Sequence, residues 1–273
     1  AVTVSTLLDI RDLHISLGGR QLVDGVDLTV SKGEILGLAG ESGSGKTLTA
    51  LTTLGFLPHG ATATGEVLVD GEDTLAMSAS QLQRLRGNRV AMVFQDPMTS
   101  LHPMLTIERQ LTEHQLVHRS VTKKQARARA VELLELVRIP DPERALRSYP
   151  HRFSGGMRQR IAIAAALACE PEIIVADEIT TALDVTVQAG ILRLLSDLRS
   201  ETDAAILFIT HDLAVMNVLA DRLVVMRNGK VVESGDCRDV LADPQDPYTR
   251  MLVEALPPAA DFGAAPSEGE DLR

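Results

Sequence analysis

A glycine-rich segment near the amino end has the composition of a phosphate-binding loop. Gly40-Glu-Ser-Gly-Ser-Gly-Lys-Thr47 fits the pattern Gly-x-x-x-x-Gly-Lys-Thr, after a strand pattern and before a helical pattern at Leu48–Leu57. Glycines let backbone N–H groups turn towards an anion, and the amino end of a helix adds partial positive charge. We expect Lys46 to bind the β- and γ-phosphates of a nucleotide and Thr47 to ligate Mg²⁺. The alternative is a plain Gly/Ser-rich turn, which the matching strand and helix patterns disfavour.

The residues of this segment that we assign to nucleotide binding extend into the predicted helix as far as Thr49. It comprises Gly40, Glu41, Ser42, Gly43, Ser44, Gly45, Lys46, Thr47 and Thr49. Such a loop occurs in kinases, GTPases and mechanical ATPases, so other residues must decide the class.

An acidic pair, Asp177-Glu178, follows an apolar strand pattern at Glu172–Ala176. Carboxylates at the carboxyl end of a strand beside a phosphate loop can hold Mg²⁺ and polarise water. We assign Asp177 to the metal, largely through its water shell, and Glu178 to the attacking water as general base. An exposed acidic pair without function is the alternative, and it would be preferred if the phosphate loop were absent.

A third segment, Ser154-Gly155-Gly156, leads into a helical pattern at Arg158–Cys169. Serine favours the N-cap of a helix, where its hydroxyl and the first N–H groups can meet an anion. Two glycines in the first turn each cost about 1 kcal/mol relative to alanine. We therefore expect another group to approach this backbone closely.

The elements that would position these residues form an α/β pattern. Continuously apolar strands of this kind favour a parallel sheet that is covered on both faces. The four such runs are Glu34–Ala39, Arg89–Phe94, Glu172–Ala176 and Ala205–Thr210.

Other regions differ from this core. Leu7–Val30, Gly65–Val69 and Arg222–Glu233 have the patterns of antiparallel strands, and Asn228-Gly229 is a strong hairpin turn signal. Between Pro97 and Ser154 the pattern becomes helical, with a capping box that begins at Thr122.

Bulk composition excludes several classes. With 27 Lys and Arg against 37 Asp and Glu, the formal charge of −10 disfavours a nucleic-acid-binding surface. Cys169 and Cys237 are too few and too far apart for a disulfide framework or a metal cluster, which favours a reducing cytoplasm. The longest apolar run, Ile161–Cys169, is too short to span a bilayer, and the amino end lacks the pattern of a secretory signal.

From Leu7 to Pro257 the motifs and their order resemble the nucleotide-binding subunits of ATP-binding-cassette (ABC) transporters, whose signature is a Ser-Gly-Gly segment like that at Ser154. The resemblance implies a P-loop (RecA-like) parallel-sheet core, an antiparallel β subdomain and an α-helical insert. It predicts an ABC ATPase domain over residues 1–256 and a flexible tail over 257–273. Within that domain the core with its β subdomain covers 1–96 and 166–256, and the insert with the signature covers 97–165.

The resemblance also implies site roles. Ser154, Gly155 and Gly156 would bind the γ-phosphate held by the opposite subunit of a head-to-tail dimer. Gln95 would sense Mg²⁺ and the attacking water, and His211 would contact the γ-phosphate. The implied catalytic set is Glu178, His211, Gln95 and Lys46, and the implied metal set is Thr47, Gln95 and Asp177.

Two further assignments concern the nucleotide and the dimer. Thr181-Ala-Leu-Asp184 matches the loop that crosses the dimer interface, which adds Asp184 to the binding set. Leu17 occupies the place of the aromatic residue that stacks on adenine, so base stacking is expected to be weaker.

Longer strings resemble the importers of oligopeptides, dipeptides and nickel, among them Phe94-Gln-Asp-Pro-Met-Thr-Ser-Leu101 and Asp246-Pro-Tyr-Thr-Arg250. The implied protein is an ATPase at the cytoplasmic face of the membrane that uses ATP and Mg²⁺. Its implied partners are a second, paralogous ATPase subunit, two transmembrane permease subunits and an extracytoplasmic solute-binding protein, without nucleic acid. An ABC exporter, a soluble non-transport ABC ATPase and a metabolic P-loop kinase are the alternatives.

The sequence departs from the family at three further points. Ile179 stands where a proline usually follows the catalytic glutamate, which is expected to loosen the turn. His102 replaces a usual asparagine without an evident catalytic consequence. The chain has no cysteine-bearing carboxyl extension, so we expect no iron–sulfur cluster.

Overall fold

Two sheets and the helices around them make up the described part of the chain, residues 5–181 and 184–256, in this computed structural model. The strands are β1 (Thr6–Leu17), β2 (Arg20–Ser31), β3 (Ile35–Ala39), β4 (Ala61–Val69), β5 (Glu72–Asp73), β6 (Val90–Val93), β7 (Ile173–Asp177), β8 (Ala205–Ile209), β9 (Arg222–Arg227) and β10 (Lys230–Asp236). The helices are α1 (Lys46–Thr52), α2 (Ala79–Leu85), α3 (Pro97–Ser100), α4 (Ile107–His118), α5 (Lys123–Leu136), α6 (Pro142–Leu146), α7 (Gly155–Ala166), α8 (Val185–Thr202), α9 (Leu213–Leu219), α10 (Cys237–Ala242) and α11 (Pro247–Glu254).

The central sheet has the strand order β10-β9-β3-β8-β7-β6, and all its pairings are parallel except that of β9 with β10. Successive side chains of each strand enter different apolar clusters. In β7, Ile174 and Ala176 join one cluster, whereas Ile173 and Val175 join the other. Because both faces are covered, β3, β6 and β8 carry no polar side chain, and β7 carries one only at its last residue, Asp177. This arrangement confirms the predicted parallel-sheet core.

A smaller antiparallel sheet, ordered β2-β1-β4-β5, covers one face of the central sheet. The hairpin at Asn228-Gly229 forms as predicted, but β9 pairs in parallel with β3. This hairpin therefore belongs to the edge of the central sheet rather than to the antiparallel sheet.

The helices α3–α7 occupy the region that the sequence assigns to an insert, although the division at residues 97 and 165 stays a prediction. Thr122 forms the predicted capping box at α5, because its hydroxyl accepts from the Gln125 N–H while the Gln125 side chain accepts from the Thr122 N–H. Within the described ranges, no helix combines the length and the hydropathy needed to cross a bilayer.

Two helix ends differ from the sequence patterns. Helix α1 ends at Thr52, short of the predicted Leu57, because Gly55 takes a left-handed φ of 61° and turns the chain away. Helix α7 ends at Ala166 and continues to Cys169 only as a 3₁₀ turn.

Candidate functional site

The glycine-rich loop leaves the carboxyl end of β3 and turns into α1 through left-handed backbone. Gly40, Gly43 and Gly45 have φ values of 143°, 81° and 102°, which side-chain-bearing residues rarely adopt. A Cβ atom on Gly40 would lie 2.1 Å from the carbonyl oxygen of Met226. At that position the neighbouring strand β9 leaves room only for glycine.

Lys46 lies inside this loop, with 5% of its surface exposed. Its ammonium group donates to the carbonyl oxygens of Gly40 and Glu41, at 2.7 and 2.8 Å. Burial lowers the pKa of Lys46, and the nearby carboxylates, of which Glu178 has the largest effect, act in the opposite direction. The loop therefore holds a buried cation at its centre, within reach of the acidic pair.

The acidic strand end meets the start of α1. The Thr47 hydroxyl donates to Oδ1 of Asp177 over 3.1 Å, and Asp177 is only 7% exposed. Burial raises the pKa of Asp177, although the hydrogen bond from Thr47 opposes this shift.

These two oxygen donors fit Mg²⁺, which is usually held by one or two protein oxygens together with substrate phosphates. In the parts of the chain that the structure describes, no group of three or more His, Cys, Asp and Glu residues could form a metal site of its own. The metal site is therefore one that the phosphates of a nucleotide would complete.

Glu178 directly follows β7 and has a left-handed φ of 48°, which is uncommon outside glycine and occurs at functional sites. Its N–H donates to the carbonyl oxygen of Ile209 at the end of β8. This turn brings Oε1 of Glu178 to 3.4 Å from Nδ1 of His211, whose side chain is 55% exposed. The structure thus pairs a carboxylate with an imidazole beside the Lys46 loop.

The Ser154 segment forms a helix start, because the Ser154 hydroxyl accepts from the Met157 N–H at 3.3 Å and α7 begins at Gly155. A Cβ on Gly156 would lie 2.5 Å from Cγ1 of Val187. The close neighbour of Gly156 is thus a residue of the same chain, so Val187 makes the expected close approach to the backbone at that position. A Cβ on Gly155 would meet nothing within 4 Å among the described residues, so this backbone is bare.

The comparison with known families decides the class of this site. The family model described as ABC transporter matches residues 23–181, more than half of the chain. The chain belongs to the ABC transporter ATP-binding family. This confirms the resemblance, and the protein is therefore an ATPase whose cofactors are ATP and Mg²⁺.

Two curated relatives and one solved structure show which members of the family this chain resembles. A probable peptide ABC transporter ATP-binding protein of Sinorhizobium fredii is 50% identical over 92% of this chain and 77% of its own. An oligopeptide transport ATP-binding protein of Bacillus subtilis is 47% identical over 96% of this chain and 75% of its own. A dimeric ATP-binding cassette in a post-hydrolysis state, bound to ADP and phosphate, superposes with a TM-score of 0.74 at 28% identity over 85% of this chain and 99% of that one.

Other predicted site residues of this ABC ATPase lie away from the Lys46 loop and the acidic pair. Gln95 is exposed beyond the end of β6 and makes no side-chain hydrogen bond to the described residues. Leu17 ends β1 with 38% exposure. Asp184 caps α8 by accepting from the Val187 N–H at 2.9 Å, while residues 182 and 183 of its predicted loop lie outside the described ranges, as does the predicted tail.

Two further positions that the sequence singled out are buried. Thr49 is fully buried in α1, and its hydroxyl has no hydrogen-bond partner among the described residues, so its contact with the nucleotide stays a prediction. Ile179 is 1% exposed and packs in the core cluster on the helical side of the central sheet, and the Thr181 N–H closes the turn on the Glu178 carbonyl at 3.1 Å. The side chain that replaces proline thus anchors the turn through burial.

Sequence reasoning missed two contacts that brace the loop of this ABC ATPase. The Gly229 N–H donates to the Ser44 carbonyl at 3.0 Å, and the Glu41 N–H donates to the Tyr248 hydroxyl at 2.8 Å. Both partners lie in strings noted only for a turn signal and for a subfamily resemblance, and nothing in those patterns indicates a contact with the loop.

Proposed function

We propose that this chain is one ATPase subunit of an importer for peptides, nickel or a related small solute, and that two such subunits close on ATP. The single observation that carries the two-subunit site is the bare backbone at Gly155. The described residues of one chain surround Lys46, whereas the Ser154 helix start offers its N–H groups outwards. The peptide-transport names of the two relatives and the dimeric form of the solved cassette support this proposal.

The chemistry assigned to the site is in-line attack of water on the γ-phosphate. Lys46 would hold the β- and γ-phosphates, while the hydroxyl of Thr47 and the carboxylate of Asp177 would hold Mg²⁺, which neutralises the developing phosphate charge. Glu178 would accept a proton from the attacking water at its carboxylate. His211, 3.4 Å from Glu178, would fix that carboxylate and reach the γ-phosphate.

The remaining roles concern the assembly. Ser154, Gly155 and Gly156 would complete the site of the opposite subunit, with Asp184 at the interface. Gln95 lies on an exposed segment, from which it could approach the metal when the subunits close. The implied assembly contains a second, paralogous ATPase subunit and two permease subunits, receives solute from an extracytoplasmic binding protein, and places this chain at the cytoplasmic face of the membrane.

Replacing Glu178 by glutamine tests the assigned chemistry. The Glu178→Gln variant should bind ATP and keep the subunits associated, while turnover falls by about a hundredfold or more, the usual contribution of a general base. Phosphate release measures turnover, and light scattering with Mg²⁺ and ATP measures association.

The matched control is Glu172→Gln, which removes the same charge at the opposite end of β7, where Glu172 is exposed and pairs with Arg89 at 3.4 Å. It should keep normal turnover. Full turnover in the Glu178→Gln variant would remove Glu178 from the base role.

Transport direction requires the whole assembly. The ATPase, co-expressed with its permeases and reconstituted in proteoliposomes, should drive ATP-dependent movement of a radiolabelled oligopeptide towards the face that bears the ATPase, and only when the two ATPase subunits can close. No stimulation by the permeases would support the soluble alternative, and movement of the solute away from the cytoplasmic face would support an exporter.

A further inference from the structure

Tyr248 of helix α11 contacts the phosphate loop from the far end of the sequence. Its hydroxyl accepts a hydrogen bond from the Glu41 N–H at 2.8 Å, across a sequence separation of 207 residues. This N–H shares one peptide unit with the carbonyl of Gly40, and among the described residues no peptide bond is cis. In a planar trans unit the N–H and C=O groups point in opposite directions. Tyr248 therefore holds one side of the unit whose other side faces the Lys46 ammonium, at 2.7 Å.

The tyrosine itself is held on several sides. It is 3% exposed, and the guanidinium carbon of Arg227 lies 4.6 Å from the centre of its ring. The Asp246 carboxylate accepts from the Tyr248 N–H at 2.8 Å and so caps α11. Glu233 in turn accepts from the N–H groups of Gln245 and Asp246, at 2.8 and 3.1 Å, which fixes the helix start to strand β10.

The hydroxyl is suited to the acceptor role. Burial raises the pKa of Tyr248, although the hydrogen bond from Glu41 opposes this shift. The phenol therefore keeps its proton at physiological pH. A neutral oxygen can accept the hydrogen bond from the Glu41 N–H without adding a negative charge beside the phosphates of a bound nucleotide.

We propose that Tyr248 is a positioning residue for Lys46, acting through the Gly40–Glu41 peptide unit. This inference rests on the proposed role of Lys46 in binding the β- and γ-phosphates. Without the hydroxyl, the peptide unit can rotate, its carbonyl no longer faces the ammonium, and Lys46 loses the geometry in which the loop presents it. The carboxyl-terminal helix is thereby part of the nucleotide site, although it contributes no atom to the phosphates.

The test compares Tyr248→Phe with Tyr149→Phe. The chain has two tyrosines, and Tyr149 lies at the surface with 40% exposure, stacked on His151 and away from the loop. Each change removes only a hydroxyl. Tyr248→Phe should raise the Kd for ATP by about tenfold, the size expected when a hydrogen bond of a positioned group is lost. The Kd for AMP, which lacks the β- and γ-phosphates, should stay the same, and Tyr149→Phe should change neither.

A double-mutant cycle with Lys46→Met separates positioning from a general structural effect. If Tyr248 acts through Lys46, adding Tyr248→Phe to Lys46→Met causes no further loss of ATP affinity. Equal losses in both backgrounds, or an equal loss for AMP, would overturn the proposal, as would unchanged ATP affinity in Tyr248→Phe. If Lys46→Met itself left ATP affinity intact, the proposed role of Lys46 would fail first. Thermal unfolding of each variant shows whether its nucleotide affinity was measured on a folded protein.

Discussion

Two glycine-bearing segments at the starts of helices, the Gly40–Thr47 loop and the Ser154–Gly156 helix start, have different surroundings. The loop is enclosed by its own chain on the side of Lys46: Met226 lies against Gly40, Gly229 donates to Ser44, and Tyr248 accepts from Glu41. Only its tip at Gly43 has nothing within 4 Å among the described residues. The helix start is enclosed only on the Gly156 side, by Val187, and is open at Gly155.

The difference fits the proposal that a single chain carries two halves of a site and completes neither alone. The enclosed loop presents a buried cation in fixed geometry, which binding of a polyphosphate requires in advance. The open helix start exposes N–H groups that only a group from outside the described chain can meet. In the proposed two-subunit site, the approach of a second subunit would control catalysis, because one half of each site would arrive with it.

The largest expected effect is the loss of stability in Gly40→Ala, which changes the enclosed segment. The new methyl group would lie 2.1 Å from a backbone oxygen, at a φ of 143° that alanine rarely adopts. We expect the free energy of unfolding to fall by about 3 kcal/mol or more, since clash and backbone strain act together. Urea unfolding measures this loss. A variant as stable as the parent protein would show that strand β9 does not pack closely against the loop at Gly40.

The same substitution at Gly155 should separate stability from activity. The methyl group would meet nothing within 4 Å in the described chain, and alanine favours a helix over glycine by about 1 kcal/mol. Gly155→Ala should therefore keep or raise the free energy of unfolding. Turnover should fall by about tenfold, because the methyl group occupies the space for the neighbour's triphosphate. Normal turnover would indicate that no ligand approaches this backbone.

The smallest expected effect concerns Asp177, a carboxylate buried for function in the enclosed half. Its pKa is raised by burial, so the folded protein binds this proton more tightly than the unfolded chain. Stability from this group is therefore greatest at low pH and is lost as pH rises from the unfolded pKa through the folded pKa. At neutral pH, Asp177→Asn should be more stable by about 1 kcal/mol, with a Tm about 2–4 °C higher.

Its control is Asp243→Asn, at an exposed position far along the chain from the site. That change should leave the Tm unaltered. A lower Tm in Asp177→Asn would contradict the view that this carboxylate costs stability.

Sequence patterns predicted the parts of the molecule that local chemistry decides. Residues a few positions apart determine each of these features: the apolar runs of the central strands, the glycines of the loop and the capping box at Thr122. The family comparison confirms the class that these motifs indicated.

Other features depend on contacts that no local pattern contains. Gly156 differs from Gly155 only because Val187, on another helix, lies against it. Tyr248 reaches the loop across most of the chain, and the end of α1 depends on the backbone angle of Gly55. The burial of Thr49 likewise depends on the packing of α1, which the loop pattern does not contain.

The central claim is that the enclosed loop of one subunit and the open helix start of its neighbour grip the same triphosphate. The most direct measurement is the structure of the Glu178→Gln assembly with Mg²⁺ and ATP. The account predicts the γ-phosphate within hydrogen-bond distance of both Lys46 of this chain and the Ser-Gly-Gly helix start of the second subunit. A nucleotide bound at Lys46 with Ser154 and Gly155 facing solvent in the closed assembly would contradict it.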